Sequence, residues 1–301
     1  MLIIAISSCR PKNKPAAEPS GQEEFPSELI NFKPSDLNPV FKGTGTDTWD
    51  NSIRERGFIL YDEGIYKMWY SGLTKKDFKQ INLGYATSPD GLNWTRHSGN
   101  PIFSERWTED MFVVKNNGTY YMYAEGLNDV AHLLVSQDGI KWEDKGDLII
   151  RTTDGEPIPG PYGTPNVWIE NGKWYLFYER NDEGIWLAVS DDKIDWTNVQ
   201  DDPVILKGPE KYDAGAVAAN QVIKYKERYY IYYHATTNPD WTNPSNIWTS
   251  EVAMSEDLIH WKKYPGNPIV KDDHSSPILV PDGGQYRLYT MHPEVWVYFS
   301  E

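Results

Sequence analysis

Ser88-Pro89-Asp90-Gly91-Leu92-Asn93-Trp94 places an aspartate two residues after a serine and a tryptophan four residues after that aspartate. The spacing returns as Ser136-Gln137-Asp138-Gly139-Ile140-Lys141-Trp142, Ser190-Asp191-Asp192-Lys193-Ile194-Asp195-Trp196 and Ser255-Glu256-Asp257-Leu258-Ile259-His260-Trp261. Short strand-like runs precede the copies, such as Leu83-Gly84-Tyr85-Ala86 and Trp186-Leu187-Ala188-Val189, so each reads as strand, polar turn, strand. A second signature opens the units: Asn38-Pro39-Val40, Asn100-Pro101-Ile102, Asp202-Pro203-Val204 and Asn267-Pro268-Ile269, with a weaker form at Asp147-Leu148-Ile149. A third is a hairpin, found near 54–70, 112–123, 167–178, 222–233 and 279–290. Four of its turns carry the hairpin dipeptides Glu63-Gly64, Asn117-Gly118, Asn171-Gly172 and Gly283-Gly284, and the fourth copy has Lys226-Glu227. Five units of about four short strands, with almost no helical periodicity, specify an all-β five-bladed β-propeller. The last unit lacks a complete outer strand, and residues near Phe32 to Phe41 are expected to complete it, closing the ring.

The 301 residues carry a formal charge of −15, which excludes a nucleic-acid partner, whose phosphates need Lys and Arg. Aromatics make up 14%, with 13 Trp and 20 Tyr. That excess suits a carbohydrate, whose apolar ring face stacks on aromatics, and it equally suits strands. A single cysteine, Cys9, permits no intrachain disulfide. It follows Leu2-Ile3-Ile4-Ala5-Ile6-Ser7-Ser8, so residues 1–9 read as the end of a bacterial lipoprotein signal with Cys9 lipid-anchored, although the run lacks a basic start. Residues 10–31 read as a disordered tether and 32–301 as one propeller domain of a monomer in the cell envelope.

The polar residues at the hairpin entrances converge on the axis if the copies form a ring. Aligned on their turns, Arg54, Thr108, Tyr162, Val217 and His274 share one level. Glu55, Glu109, Gly163, Ala218 and Ser275 share the next, and Arg56, Asp110, Thr164, Ala219 and Ser276 the third. Strand alternation leaves open which level faces the axis. Glu125, Glu179, His234 and His292 follow the second strands and reach toward the same place. Glycoside cleavage needs two carboxyl groups, one protonated and one ionised. The candidate catalytic residues are therefore Glu55, Glu109, Asp110, Glu179 and Asp213. Arg54, Arg56, Trp49, Asp50, Tyr162, Thr164, His234, His274 and His292 are the candidate substrate-binding residues. Asp50 and Asp213 occupy the same repeat position, which equally suits a structural cap. Trp107, Trp168 and Trp241 lie beside entrance loops, whereas the signature tryptophans pack blades. The insertion 237–244 and the 151–163 connection are placed to shape the mouth. No ligand spacing demands a metal ion, and no cofactor is expected.

At these hairpins, over residues 38 to the end, the chain resembles the five-bladed propeller glycosidases, glycoside hydrolase family 43 and its relatives in families 32, 62, 117 and 130. The resemblance to family 43 implies an Asp base in blade one, a pKa-tuning Asp in blade three and a Glu acid in blade four. Here Arg56 stands at the place of the base, Thr164-Pro165-Asn166-Val167 at that of the second acid, and Ala218-Ala219 at that of the third. The triad is not carried over; Asp110, in blade two, is the acidic residue at the level of the base. Three readings follow: a glycoside hydrolase drawing acid and base from the candidates above, a phosphorylase resembling family 130 with Arg54, Arg56 and His274 on phosphate, or a non-catalytic glycan-binding lipoprotein. The hydrolase is the preferred reading, with Glu55 or Asp110 activating water and Glu109 or Glu179 protonating the leaving oxygen.

Overall fold

The computed structural model describes residues 24–74, 77–240, 243 and 245–301. Cys9 and the signal and tether residues up to 23 lie outside the described residues, as do Trp241 and the side chain of Glu55. The strands form five antiparallel sheets in chain order, a five-bladed propeller. Blade 1 comprises Ser52–Asp62, Ile65–Thr74, Asp77–Ser88 and Thr95–Arg96, and blade 2 comprises Glu109–Asn116, Thr119–Glu125, Ala131–Ser136 and Glu143–Asp147. Blade 3 is built on Gly163–Glu170, Lys173–Glu179, Gly184–Ser190 and Asp195–Asn198, with Ile149–Arg151 added in parallel at its edge. Blade 4 comprises Ala216–Tyr225, Arg228–Thr236, Trp248–Ser255 and Trp261–Lys263. Blade 5 has Ser275–Asp282, Gln285–His292 and Trp296–Ser300, and Phe32–Pro34 supplies its outer strand by pairing with Tyr298 to Ser300. The first strands pack against one another in sequence around the axis, blade 5 meeting blade 1.

Each sequence signature has a physical job. In Ser-x-Asp, the serine Oγ and aspartate Oδ1 accept the backbone N–H groups of the turn, as Ser88 does from Gly91 and Asp90 from Leu92 and Asn93. The signature tryptophans Trp142, Trp196 and Trp261 donate their indole N–H back to the same turns. In Asn-Pro, the amide completes the edge of a third strand. Asn100 exchanges two hydrogen bonds with the Tyr85 backbone, Asn267 with Val252 and Asn38 with Val297, each between 2.8 and 3.1 Å. The hairpin turns hold both central residues at positive φ, and Lys226 and Glu227 do so (46° and 64°) without a glycine.

The sequence placed residues 24–31 in the tether, but they pack on the propeller. Ser27–Ile30 form a single helical turn. Phe25 and Leu29 are buried against Tyr230, Val252 and Leu288 of blades 4 and 5, and Tyr232 donates to the Leu29 carbonyl. Two large apolar side chains offset the entropy of ordering so short a segment.

The entrance strands are bulged. In blade 2 Glu109 pairs with Glu125 and Phe112 with Tyr123, leaving two residues opposite one. In blade 1 Arg54 pairs with Ser71 and Phe58 with Trp69, leaving three opposite one. The extra residue moves Arg54, not Glu55, to the level of Glu109, Gly163, Ala218 and Ser275, so the alignment counted from the turns is one residue out in blade 1.

That bulge turns Arg56 into the interior, where it is fully buried. Its guanidinium donates to the carbonyls of Asp110 in blade 2, Pro165 in blade 3 (2.8 Å) and Ala219 in blade 4 (2.6 Å). Its backbone N–H donates to Asp110 Oδ1 at 3.0 Å. Burial lowers its pKa to about 10, against the pull of Asp110 and Glu125, so it stays charged at neutral pH. Arg56 is thus a bolt through four blades, not a sugar ligand. Arg56→Met leaves three carbonyls unpartnered in the interior, and denaturant unfolding is expected to show a loss of at least ~3 kcal/mol.

Candidate active site

The axial funnel ends in a cavity of ≈ 630 Å³ above Arg56. Blade 1 contributes Arg54. Blade 2 contributes Glu109, Asp110, Glu125 and Asp129, and blade 3 contributes Thr164, Glu179, Asn181 and Asp182. Blade 4 and its insertion give His234, Asn243, Asn246 and Trp248, and blade 5 gives Asp273 and His292. Among these described residues, seven acidic side chains face one arginine and two histidines.

The bulges position the inner carboxylates. Asp110 and Thr164 hold left-handed backbone at φ 47° and 45°, as does Ser276 at the matching place in blade 5. A β-branched threonine there is strained, and such strain gathers at working sites. The turn at Asp110, a residue 9% exposed, aims its carbonyl at Arg56 and leaves its carboxylate at the cavity. Arg54 Nε lies 3.2 Å from Glu109 Oε2, and the Trp107 indole donates to Glu109 Oε1 at 2.6 Å. Trp107 thus holds an acid in place.

Glu125 and Glu179 occupy matching register positions, opposite Glu109 and Gly163. Thr164 N–H donates to Glu125 Oε2 at 2.8 Å, while Glu179 accepts from Gly163 (3.2 Å) and Asp182 (2.7 Å). Burial, with Asp182 and Asp129 nearby, pushes Glu179 up to about 8 despite those amides. Burial, then Asp110, Glu109, Glu179 and Asp129, pushes Glu125 well above the usual carboxylate range. Each is thus driven toward its protonated form, Glu179 with a midpoint just above neutrality. His234 moves the other way: burial, then Arg56 and His292, lowers it to about 3, so the ring is neutral. Its Nδ1 lies 3.0 Å from Asn220 Oδ1, which leaves Nε2 to accept a hydrogen bond.

Of the residues singled out in the sequence, Glu109, Asp110, Glu179, Arg54, Thr164, His234 and His292 are brought together here. Others are not. Asp50 and Asp213, matched in the repeat, are both buried in ion pairs with outer-strand cations, Asp50 with Arg96 (2.7 Å) and Asp213 with Lys263 (2.5 Å). They fasten the segment entering each blade to that blade's rim. Trp49 stacks on Tyr70 at 5.7 Å, and Tyr162 is buried with its hydroxyl donating to the Leu148 carbonyl. His274 packs on Trp296 at 4.1 Å. Trp168 packs edge-on against Tyr229. None of these lines the cavity: Trp49 and His274 pack within their own blades, Asp50 and Asp213 sit at the rims, and Trp168 lies at the seam of blades 3 and 4.

Glu125 is legible in the sequence as a residue following a second strand, outside the candidate catalytic set. Its kinship with Glu179 in the repeat was the available signal. Asp129 and Asp182 end an Asn-Asp turn that repeats after Glu125 and Glu179, in left-handed backbone in both blades, whereas Asp273 sits in a turn before blade 5. Asn243 comes from the blade 4 insertion at 237–244, which does shape the mouth, and Asn246 from just beyond it, whereas the 151–163 connection supplies no lining. Trp248, edge-on to His234 at 5.2 Å, is the aromatic in the cavity. Among the described residues no group of three His, Cys, Asp or Glu side chains is arranged to hold a metal ion.

No protein-family model matches the chain. It is 29% identical over 225 residues to the 1,2-beta-oligomannan phosphorylase of Thermoanaerobacter sp. (strain X514), covering 69% of this chain and 72% of that protein. Its fold is similar to a glycosyl hydrolase from Bacteroides ovatus, with a TM-score of 0.70 at 16% identity over 89% of this chain and 93% of the other. It is also similar to the beta-1,2-mannobiose phosphorylase from Listeria innocua, solved with beta-1,2-mannobiose, with a TM-score of 0.67 at 15% identity over 90% and 96%. The five-bladed propeller expected from the sequence is thus the fold found, and it is one that glycoside-active proteins use.

The placement of Asp213 separates stability from activity. Asp213→Asn is expected to cost about 3 kcal/mol in a denaturant titration, since Lys263 loses its buried partner. Turnover measured well below the melting temperature should stay within about twofold of wild type.

Proposed function

We propose that the protein hydrolyses glycosidic bonds of an uncharged oligosaccharide in the axial funnel. The observation that supports this reading most is the gathering of Glu109, Asp110, Glu125 and Glu179 in one buried cavity, with Glu179 pushed up to about 8. A carboxyl group protonated at neutral pH beside others is what acid/base cleavage of an acetal requires. Glu179 gives its proton to the leaving glycosidic oxygen as the C–O bond breaks. Water attacks the anomeric carbon, and Asp110 takes the water proton, so the two protons balance over a turnover. Arg54, neutral His234 and Asn246 supply hydrogen bonds to sugar hydroxyls, and Trp248 an apolar face.

Phosphorolysis is the second reading, favoured by the 29% identity to an oligomannan phosphorylase. Electrostatics favours water. A phosphate would enter a cavity lined by seven acids, with Arg54 beside Glu109 and His234 uncharged. The same relative makes β-1,2-linked manno-oligosaccharides the first substrates to try.

Incubating the protein with these oligosaccharides in phosphate-free buffer is expected to release reducing mannose. A requirement for inorganic phosphate, with mannose 1-phosphate as product, would establish the phosphorylase instead, and no product across a wider glycan panel would leave a binding protein. Asp110→Asn keeps an oxygen for the Arg56 N–H but loses the base. Its turnover should fall roughly 10²–10⁴-fold with little change in Tm. Activity should also decline as pH rises through about 8, where Glu179 gives up its proton.

A further inference from the structure

Gly163 opens the innermost strand of blade 3 and stands between two carboxyl groups from different blades. Its own N–H donates to Glu179 Oε1, and the next N–H along the chain, that of Thr164, donates to Glu125 Oε2. Gly163 is not among the residues at positive φ, so its backbone does not call for glycine. The space does. A Cβ on Gly163 would stand 2.2 Å from Glu125 Oε2 and 2.6 Å from Glu179 Oε1. Both oxygens therefore lie within reach of one point, separated by no more than those two distances together. Both side chains are buried, with Glu125 8% and Glu179 5% exposed.

We infer that Glu125 and Glu179 act as one carboxyl pair sharing a single proton across the empty side-chain space of Gly163, and that this pair is the proton reservoir of the glycosidic cleavage proposed above, on which the inference rests. Two carboxylates this close in a partly dry cavity do not both ionise near neutral pH, so the pair carries one proton and one charge. The groups facing the pair strengthen this. Glu109 and Asp110 come from the inner strand of blade 2, Asp129 from the turn after Glu125, and Asp182 from the turn after Glu179. The nearby cations are Arg56, below the cavity and bonded to carbonyls, and Arg54, beside Glu109. The upward shifts of both glutamates agree with this arrangement. Glu179 spends the shared proton on the leaving oxygen, and the pair regains one when Asp110 releases the proton it took from water. Gly163 is the positioning residue, since any side chain there would push the oxygens apart.

The test follows the glutamate side-chain carboxyl carbons by ¹³C NMR through a pH titration. It uses full-length wild type, Glu125→Gln, Glu179→Gln and Gly163→Ala. In wild type one of the two carboxyls is expected to titrate above about pH 7, with the second group sensing the same step. In each Gln variant the remaining glutamate should titrate at least one pH unit lower, because its charged neighbour is gone. Gly163→Ala should uncouple the two titrations and move the alkaline limb of the pH–rate profile to lower pH by about a unit. A purely structural role would change Tm and leave that limb in place. Carboxyls that titrate independently, unmoved by loss of the partner, would overturn the pair, and the Gln variants decide this even if Gly163→Ala does not fold. The titration needs no substrate, so coupled carboxyls without glycan cleavage would sink the proposed function alone. Cleavage with uncoupled carboxyls would sink the pair alone.

Discussion

One buried guanidinium ties the molecule together. Arg56 leaves the innermost strand of blade 1 and reaches carbonyls of blades 2, 3 and 4. Strand ends that converge on an axis leave carbonyl groups pointing into a space too narrow for much water, and such groups need donors. The fork of Arg56 meets three of them with one residue. The bulges follow from the same need, because turning Asp110 and Thr164 into left-handed backbone aims the inner carbonyls at the guanidinium. In doing so they also aim the Asp110 carboxylate and the Thr164 N–H upward. The floor of the cavity and the positions of its acids are therefore one construction.

What stands on that floor runs against stability. Glu125 and Glu179 are buried beside other acids, and burial raises both above the ordinary range. A fold free to choose would place water or apolar groups there. Holding such groups requires a rigid surround, which the blades supply at their rims and seams. Tyr120 and Lys115 of blade 2 meet Asp62 of blade 1, Tyr229 and Lys224 of blade 4 meet Glu170 of blade 3, and Tyr66 of blade 1 meets Asp282 of blade 5. Each joins a hairpin turn to the next blade. The N-terminal segment works in the same way, wedging Phe25 and Leu29 at the seam of blades 4 and 5 before Phe32–Pro34 closes the ring. Closure by the chain's own N-terminal strand leaves blade 5 with four strands like blades 1, 2 and 4.

The acidity of the cavity also sets what it accepts. Seven acids gathered around one arginine make a surround that disfavours an anion, which is why the proposed substrate of the funnel is an uncharged sugar. The neutral His234, the amides of Asn243 and Asn246 and the ring of Trp248 lie on the side of blade 4, opposite in character to the acids of blades 2 and 3. A bound sugar would thus meet proton-transfer groups on one side and positioning groups on the other.

The sequence by itself determined the number of blades, their order and their closure by the N-terminal strand. Ser-x-Asp turns, Asn-Pro edges and hairpin dipeptides are local hydrogen-bonding devices, and local devices are written in consecutive residues. It also brought forward Glu109, Asp110 and Glu179, because repeat copies that differ in polarity stand out against the pattern. Tertiary structure alone decided which polar residues face the axis. A single extra residue in the blade 1 bulge moved Arg54 into the level expected for Glu55, and it sent Arg56 into the core as a bolt. Asp50 and Asp213 went to the rims because Arg96 and Lys263, far away in sequence, wait there. The meeting of Glu125 with Glu179 depends on the missing side chain of Gly163 and on the angle between two blades. Side-chain period fixes a face only while a strand is regular, and at the axis of this propeller the strands are irregular.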